Sequence, residues 1–274
     1  MARWFTFAHS RLNEIMDGRM KTNLFRWPAG QKCAVSLTYD DGLPVHYEYV
    51  GPALSEAGLR GTFNVLIRGD PLQHPEEWRR LGHSGHELAN HTLFHPCRRQ
   101  ADDTWLEECY DLCDYTPERL RVELEIANLI LYLLDGKHER TFGNTCCDTT
   151  IGRGKQEMLM DEVLRELFVA ARGPFNRQIA NVKNGINLMQ VGHFGADKQN
   201  MSLEDIQETI RRAAEMGGWA VFMIHGVGVS THSLYMEKTD HEKLVAWLAA
   251  MKADIWTAPF IEVAKVVKDH GGSS

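Results

Sequence analysis

Short, almost unbroken apolar runs alternate along this chain with longer segments of helical periodicity, and that alternation limits the fold more than any other feature. Cys33–Tyr39, Thr62–Ile67, Glu87–Asn90, Thr141–Phe142, Phe168–Arg172, Ile186–Val191, Trp219–Ile224 and Asp254–Thr257 read as strands. Between them Tyr47–Gly58, Glu76–Leu81, Pro117–Leu134, Gln156–Leu167, Ser202–Met216, Asp240–Lys252 and Pro259–Lys268 read as helices. Strands apolar on both faces belong to parallel sheets covered by helices. Seven or eight of them in 274 residues predict an α/β barrel rather than an open sheet.

The helix ends carry their own signals. Thr116 is placed to cap the helix that Pro117 opens, and apolar residues recur at Leu120, Leu124, Ala127, Ile130, Leu131 and Leu134. Ser202 followed three residues on by Asp205 starts another helix, and Gly217-Gly218 stops it. Residues 31–270 read as one catalytic domain. Residues 1–30 precede the first strand and are expected to pack on the barrel as an arm, and Gly271–Ser274 as a frayed tail. Cys97–Tyr115 reads as an irregular insertion beside the site, and Trp105, Trp247 and Trp256 are expected in the core.

A net charge of −7 argues against a nucleic-acid partner, which needs a basic face to displace counterions from phosphates. No apolar run approaches the length of a membrane span. Met1–Ser10 lacks the apolar stretch and small-residue cleavage site of a signal peptide. The six cysteines are Cys33, Cys97, Cys109, Cys113, Cys146 and Cys147. A chain this long folds without staples, and adjacent Cys146 and Cys147 are poorly disposed to bridge one another. All six are therefore read as reduced thiols, and the protein as cytoplasmic.

The chemistry sits at the strand ends, where α/β barrels carry their catalytic groups. One strand ends in Asp40-Asp41-Gly42, another runs into His91-Thr-Leu-Phe-His95, and a third into His225. Alone, Asp-Asp-Gly is an ordinary turn, and His-x3-His is an ordinary surface pattern. Together they supply a ligand set with spare acid–base groups. Two histidines four apart on a helical turn face the same way, and Asp41 completes a two-histidine, one-carboxylate set with open positions for water and substrate. That set suits zinc, and also cobalt or nickel. Asp40 is then free to take a proton from water, and His225 to give one to a leaving group.

These stretches resemble carbohydrate esterase family 4, the polysaccharide deacetylases with NodB homology. Ser36-Leu37-Thr38-Tyr39-Asp40-Asp41-Gly42 is similar to that family's first motif. Gly85-His86-Glu87-Leu88-Ala89-Asn90-His91-Thr92-Leu93-Phe94-His95-Pro96 is similar to its second, and Met223-Ile224-His225 to its last. They come in family order and span roughly residues 30–268. The resemblance implies a distorted (β/α)7–8 barrel, with Asp40 as general base, Asp41, His91 and His95 as ligands of zinc, and His225 as general acid. It implies hydrolysis of an acetyl group, most often N-linked, from a sugar or oligosaccharide, and the lack of a visible leader favours a soluble one.

The third family motif is altered. Its counterpart, Arg140-Thr141-Phe142-Gly143-Asn144-Thr145-Cys146-Cys147, lacks the family's prolines, and its Asn144–Cys147 loop is the place for a backbone oxyanion donor. Asn144, Cys146 and His193 are candidate substrate contacts, Arg172 is a candidate to orient Asp40, and His232 to touch substrate. The carboxylate partner of His225 is left open between Asp197 and Asp254. Two other enzyme readings stand beside the deacetylase: a cyclic imide or ureide amidohydrolase of the same fold, and an O-acetyl esterase of the xylan type. A non-catalytic sugar-binding protein is a third. The oligomeric state, a homodimer included, is left open.

Overall fold

A computed structural model describes residues 25–100 and 105–270. Residues 1–24 of the expected arm and the Gly271–Ser274 tail lie outside the described residues. In chain order the elements are β1 (Cys33–Tyr39), a π turn at His46–Val50 running into α1 (Gly51–Glu56), β2 (Thr62–Val65), α2 (Pro75–His83), β3 (Glu87–Asn90), α3 (Pro117–Asp135) and β4 (Thr141–Gly143). There follow β5 (Thr150–Ile151), β6 (Met158–Leu159), α4 (Asp161–Leu167), β7 (Ala170–Arg172), β8 (Phe194–Gly195), α5 (Leu203–Met216) and β9 (Trp219–Ile224). The chain ends with β10 (Gly226–Val227), β11 (Tyr235–Met236), α6 (Lys238–Ala250), β12 (Ile255–Thr257) and α7 (Phe260–Asp269).

The main sheet is wholly parallel, in the order β7-β4-β3-β2-β1-β9-β8, with β12 paired to the first half of β1. The segment leading into β8 closes the ring. Val191 bridges to Arg172 on β7, and three residues later Phe194 pairs with Phe222 on β9. The result is the distorted barrel expected, with helices outside it.

Side chains alternate along the strands. On β1, Cys33, Val35, Leu37 and Tyr39 join the apolar cluster under the helices, with Val50, Leu54, Ile206, Ile210, Leu244 and Leu248. The alternate residues Ser36, Thr38 and Asp40 are buried on the other face, inside the barrel. That interior is polar and layered. Towards the strand starts, Glu87 accepts hydrogen bonds from Thr62 (2.8 Å), Thr141 (2.5 Å) and the Ile261 amide (3.0 Å). Towards the strand ends stand Thr38, Asp40, Asn64 and Arg172.

Two elements differ from the sequence reading. The helix expected at Gln156–Leu167 begins only at Asp161, because β5 and β6 pair as a hairpin in which Gly152 and Gly154 take left-handed backbone. The strand expected at Ile186–Val191 is mostly a 3-10 turn, Leu188–Gln190. The Asn187 side chain accepts from the Met189 amide and diverts the backbone into that turn. Helix boundaries with caps fared better: Thr116 accepts from the Arg119 amide, Gly136 ends α3 in left-handed backbone, and Ser202 with Asp205 forms a reciprocal capping box.

At the strand starts a buried ion pair ties α3 to β4. Arg140 binds Asp135 through both carboxylate oxygens, at 2.8 and 2.5 Å, and donates to the Leu88 and Lys137 carbonyls. Removing one partner strands the other charge in the core. Asp135→Ala is therefore expected to destabilise the fold by about 3–5 kcal/mol, measured by urea unfolding, with the zinc affinity of the folded fraction unchanged.

Candidate active site

The strand registers bring the site together. Tyr39 pairs with Ile224, Val65 with Asn90 and Gly143 with Arg172, so Asp40, His91, Asn144 and His225 all emerge at one end of the barrel. Asp41 and Gly42 both have left-handed backbone, with φ of 75° and 64°. Aspartate tolerates that region better than most residues. The reversal leaves Asp40 inside the barrel and turns Asp41 out into the cavity.

Asp40 is buried and doubly held. Arg172 donates to its two oxygens at 2.7 and 2.5 Å, and Asn64 donates to Oδ1 at 2.7 Å. Arg172 also donates to Thr38 Oγ1 at 2.8 Å. Burial alone would raise the Asp40 carboxyl, but Arg172, with His91 and His225, outweighs it and holds the group ionised, well below the usual carboxylate range. Asn64 can reach it only because residue 143 is glycine: a Cβ there would lie 2.5 Å from the Asn64 side chain.

His91 and His95 converge on Asp41, but not on the helical turn expected. Thr92 and His95 have φ of 67° and 57°, and the segment is a tight loop. The Asn90 side chain accepts from the Thr92 amide, and the Thr92 hydroxyl from the His95 amide. The outer ring nitrogens fix the tautomers. His91 Nδ1 meets the Gly143 carbonyl at 2.7 Å and must donate to it. His95 Nδ1 lies 3.5 Å from Cys97 Sγ, a disulfide sulfur that can only accept. In the neutral form each ring would then present its Nε2 lone pair towards Asp41 Oδ1; the two nitrogens lie 3.4 and 3.3 Å from that oxygen.

That oxygen is buried and has no hydrogen-bond partner. Three such ligand atoms cluster tightly enough to hold one ion, and separations of about 3.3 Å are those between ligands of a tetrahedral zinc with bonds of about 2.0–2.1 Å. The residues present fit a divalent metal.

His225 faces the same cavity. Asp197, fully buried, accepts from its ring Nδ1 at 2.9 Å and from its backbone amide at 3.0 Å, and so is the partner that the sequence left open. Asp254 instead pairs with Lys32 at the surface. Burial disfavours the His225 imidazolium, yet Asp197, followed by Asp40 and Asp41, raises its pKa above the ordinary histidine value. His46 braces the same strand end: its Nδ1 accepts from the Leu43 amide and its Nε2 donates to the His225 carbonyl. Burial keeps this ring neutral, with its pKa lowered to about 4.

The cavity, about 870 Å³, is lined by the polar Asp40, Asp41, His91, His95, Asn144 and His225 and by the aromatic Phe94, Trp105 and Tyr110, with Trp105 against His95. Trp105 is 59% exposed there, not in the core as expected. It belongs to the Cys97–Tyr115 insertion, which does stand beside the site. His232 also lines the cavity, stacked on His225 with centroids 5.1 Å apart.

Three sequence readings need correction. Cys97 and Cys146 form a disulfide, so the six cysteines are not all thiols. The bridge joins residues 49 apart, and connectivity of that kind is not written in spacing. Cys146 therefore lines the cavity as half of a disulfide and not as a thiol. His193 is fully buried behind Cys147, whose sulfur lies 3.5 Å from its Nε2, and does not line the cavity; burial lowers its pKa to about 3. Asn64 and Glu87 went unnoticed, although each is a polar residue at an inward position of a strand.

Comparison with known proteins agrees with this geometry. Residues 29–144 match the family model for polysaccharide deacetylase. A protein of Mycobacterium smegmatis assigned to the polysaccharide deacetylases superposes with a TM-score of 0.60 at 16% identity, over 89% of this chain and 92% of its own. The peptidoglycan deacetylase PdaC of Bacillus subtilis gives 0.51 at 15% identity, over 89% and 95%. A family 4 acetyl xylan esterase of Clostridium thermocellum, solved with cobalt, gives 0.51 at 16% identity, over 85% and 91%. A gellan lyase of a Bacillus species is 21% identical over 259 residues, and the chain spans about 10% of that relative's length. Residues 29–144 are thus similar to the polysaccharide deacetylase family, and the fold of the solved structures runs along nearly all of the described chain.

Proposed function

We propose that the protein is a metal-dependent hydrolase that removes an acetyl group, in the first instance N-linked, from a carbohydrate. The observation that carries this reading is the convergence of Asp41 Oδ1 with the Nε2 atoms of His91 and His95, between an ionised Asp40 and a carboxylate-backed His225. Asp41, His91 and His95 would hold a divalent ion, with zinc the first choice and cobalt or nickel accepted by the same donors. Bound there, such an ion supplies Lewis acidity towards the acyl oxygen and acidifies water.

The chain's own residues do the rest. Arg172 and Asn64 fix Asp40 with one oxygen towards the attacking water, whose proton it accepts. His225 Nε2, the ring nitrogen not taken by Asp197, donates a proton to the departing amine. The Asn144–Cys147 turn borders the position of the developing oxyanion, where a backbone N–H would stabilise it. An O-acetyl ester is a substrate for the same machinery with an alcohol as leaving group, so the test covers both.

The test is acetate release from N-acetylated and O-acetylated mono- and oligosaccharides in zinc-containing buffer. Release is expected from at least one class, lost after dialysis against a chelator and restored by zinc. His91→Ala should lose both zinc and turnover. Full activity in that variant, or after chelation, would sink the metal reading.

The His225–Asp197 pair makes a second prediction. The proton donor must be protonated, so activity falls as pH rises through the His225 pKa. Asp197 raises that pKa, and a neutral Asp197→Asn side chain withdraws the contribution. The alkaline limb of the pH–activity profile is then expected to move to lower pH, while the acid limb stays in place. An unmoved alkaline limb would assign the donor elsewhere.

A further inference from the structure

The loop between the two histidine ligands is held by a side chain that neither touches the cavity nor belongs to the ligand set. Glu123 projects from α3 and is buried, 5% exposed. Its Oε1 accepts from two successive backbone amides, Leu93 and Phe94, each at 3.2 Å. These are residues three and four of the five that run from His91 to His95, just where the chain must turn through left-handed Thr92 and His95. Its Oε2 accepts from the Tyr115 hydroxyl at 2.9 Å, and the Arg119 guanidinium caps the Tyr115 ring at 3.8 Å.

A buried carboxylate is costly unless its oxygens are used, and among the described residues the hydrogen-bond partners of Glu123 lie on the histidine loop and at Tyr115, where the Cys97–Tyr115 insertion ends. The neighbouring α3 residue on the same side, Leu124, offers its carbonyl to Asn90 Nδ2 at 3.0 Å, and Asn128 takes the other amide hydrogen at 2.8 Å. Asn90 in turn accepts from the Thr92 amide. So α3 grips the loop at both its entry and its middle, while Gly143 and Cys97 orient the two rings from the far side.

We propose that Glu123 is the positioning residue of the metal centre: its carboxylate sets the backbone path that brings His91 and His95 Nε2 within reach of one ion. The inference rests on the reading of Asp41, His91 and His95 as ligands. Without Glu123, the Leu93 and Phe94 amides lose their acceptor and the loop relaxes. The two nitrogens then reach the ion in fewer of the loop's conformations, and affinity falls by that fraction. Partners of this kind typically contribute 10–100-fold to metal affinity.

The experiment is zinc affinity of the full chain, by competition with a chromogenic chelator, alongside thermal unfolding with and without zinc. Glu123→Leu, of similar volume, is expected to weaken zinc binding by roughly 10–100-fold. Glu123→Gln keeps an acceptor oxygen and is expected to recover most of the affinity. Tyr115→Phe removes only the partner of the other oxygen and is expected to stay within about threefold of the parent. The gain in unfolding temperature on adding zinc should shrink in the same order. Glu123→Leu and Glu123→Gln both binding zinc like the parent would overturn the proposal, even if their metal-free forms melt earlier, because that is the mark of a purely structural role. If Glu123→Leu does not fold, Glu123→Met, which also lacks an acceptor for the Leu93 and Phe94 amides, takes its place: affinity lowered below both the parent and Tyr115→Phe supports positioning, and affinity equal to theirs overturns it. A parent chain that binds no zinc would instead remove the ligand reading itself.

Discussion

The pairing of Arg172 with Asp40 inside the barrel is the contact around which the site is arranged. Two charges withdrawn from water are sustained only when their remaining donors and acceptors are satisfied. Here Asp40 takes two bonds from Arg172 and one from Asn64, and Arg172 has Thr38 besides. Those residues come from β1, β2 and β7, so the cluster fixes three strands of the ring at the level where the loops begin. It also defines what Asp40 can do. A carboxylate held so firmly ionised is a weak base. Under the proposed function it would serve against water made more acidic by an ion at the neighbouring donor set, which would make that set and the ion pair parts of one device.

The second half of that device depends on tautomers. A histidine ligates through a lone pair, and which nitrogen carries it is decided by what the other nitrogen meets. Gly143 and Cys97 supply those contacts, and both sit beside the turn that carries Asn144 and Cys146. The Cys97–Cys146 disulfide joins the histidine loop to that turn directly. The orientation of the two histidine rings and the path of the turn carrying Asn144 and Cys146 are thereby linked through covalent and hydrogen-bonded neighbours.

Much of this was legible beforehand. Strands β3 and β9 and helices α3 and α5 follow from apolar patterning and caps because local signals and tertiary burial agree there. The groups at the strand ends were legible because barrel topology sends them to one face whatever the register. What escaped depends on distance in sequence. Asn64 and Glu87 look like ordinary polar strand residues until the ring closes and sets them facing Asp40 and Thr141. Asp197 could not be preferred over Asp254 without knowing which lies beside β9. The loop at His91–His95 was read as helical from spacing alone, but spacing does not report the left-handed backbone at Thr92 and His95. The Ile186–Val191 run has strand composition, yet the Asn187 side chain captures the local amide first.

The interior of the barrel shows why polar strand residues do different work at its two ends. Glu87 and its threonine partners close the end where the strands start. Burial pushes the Glu87 carboxyl pKa up there, with no full positive partner in hydrogen-bond contact. Asp40, one layer higher, has Arg172 and is held down. The pKa values of two carboxylates in one core thus part in opposite directions, and of the two Asp40 lines the cavity. The cavity also has aromatic lining: Trp105 and Tyr110 come from the insertion and Phe94 from the histidine loop. The strand ends therefore supply the titratable groups of the cavity and the insertion much of its aromatic surface, and the two are joined at Cys97 and at Tyr115.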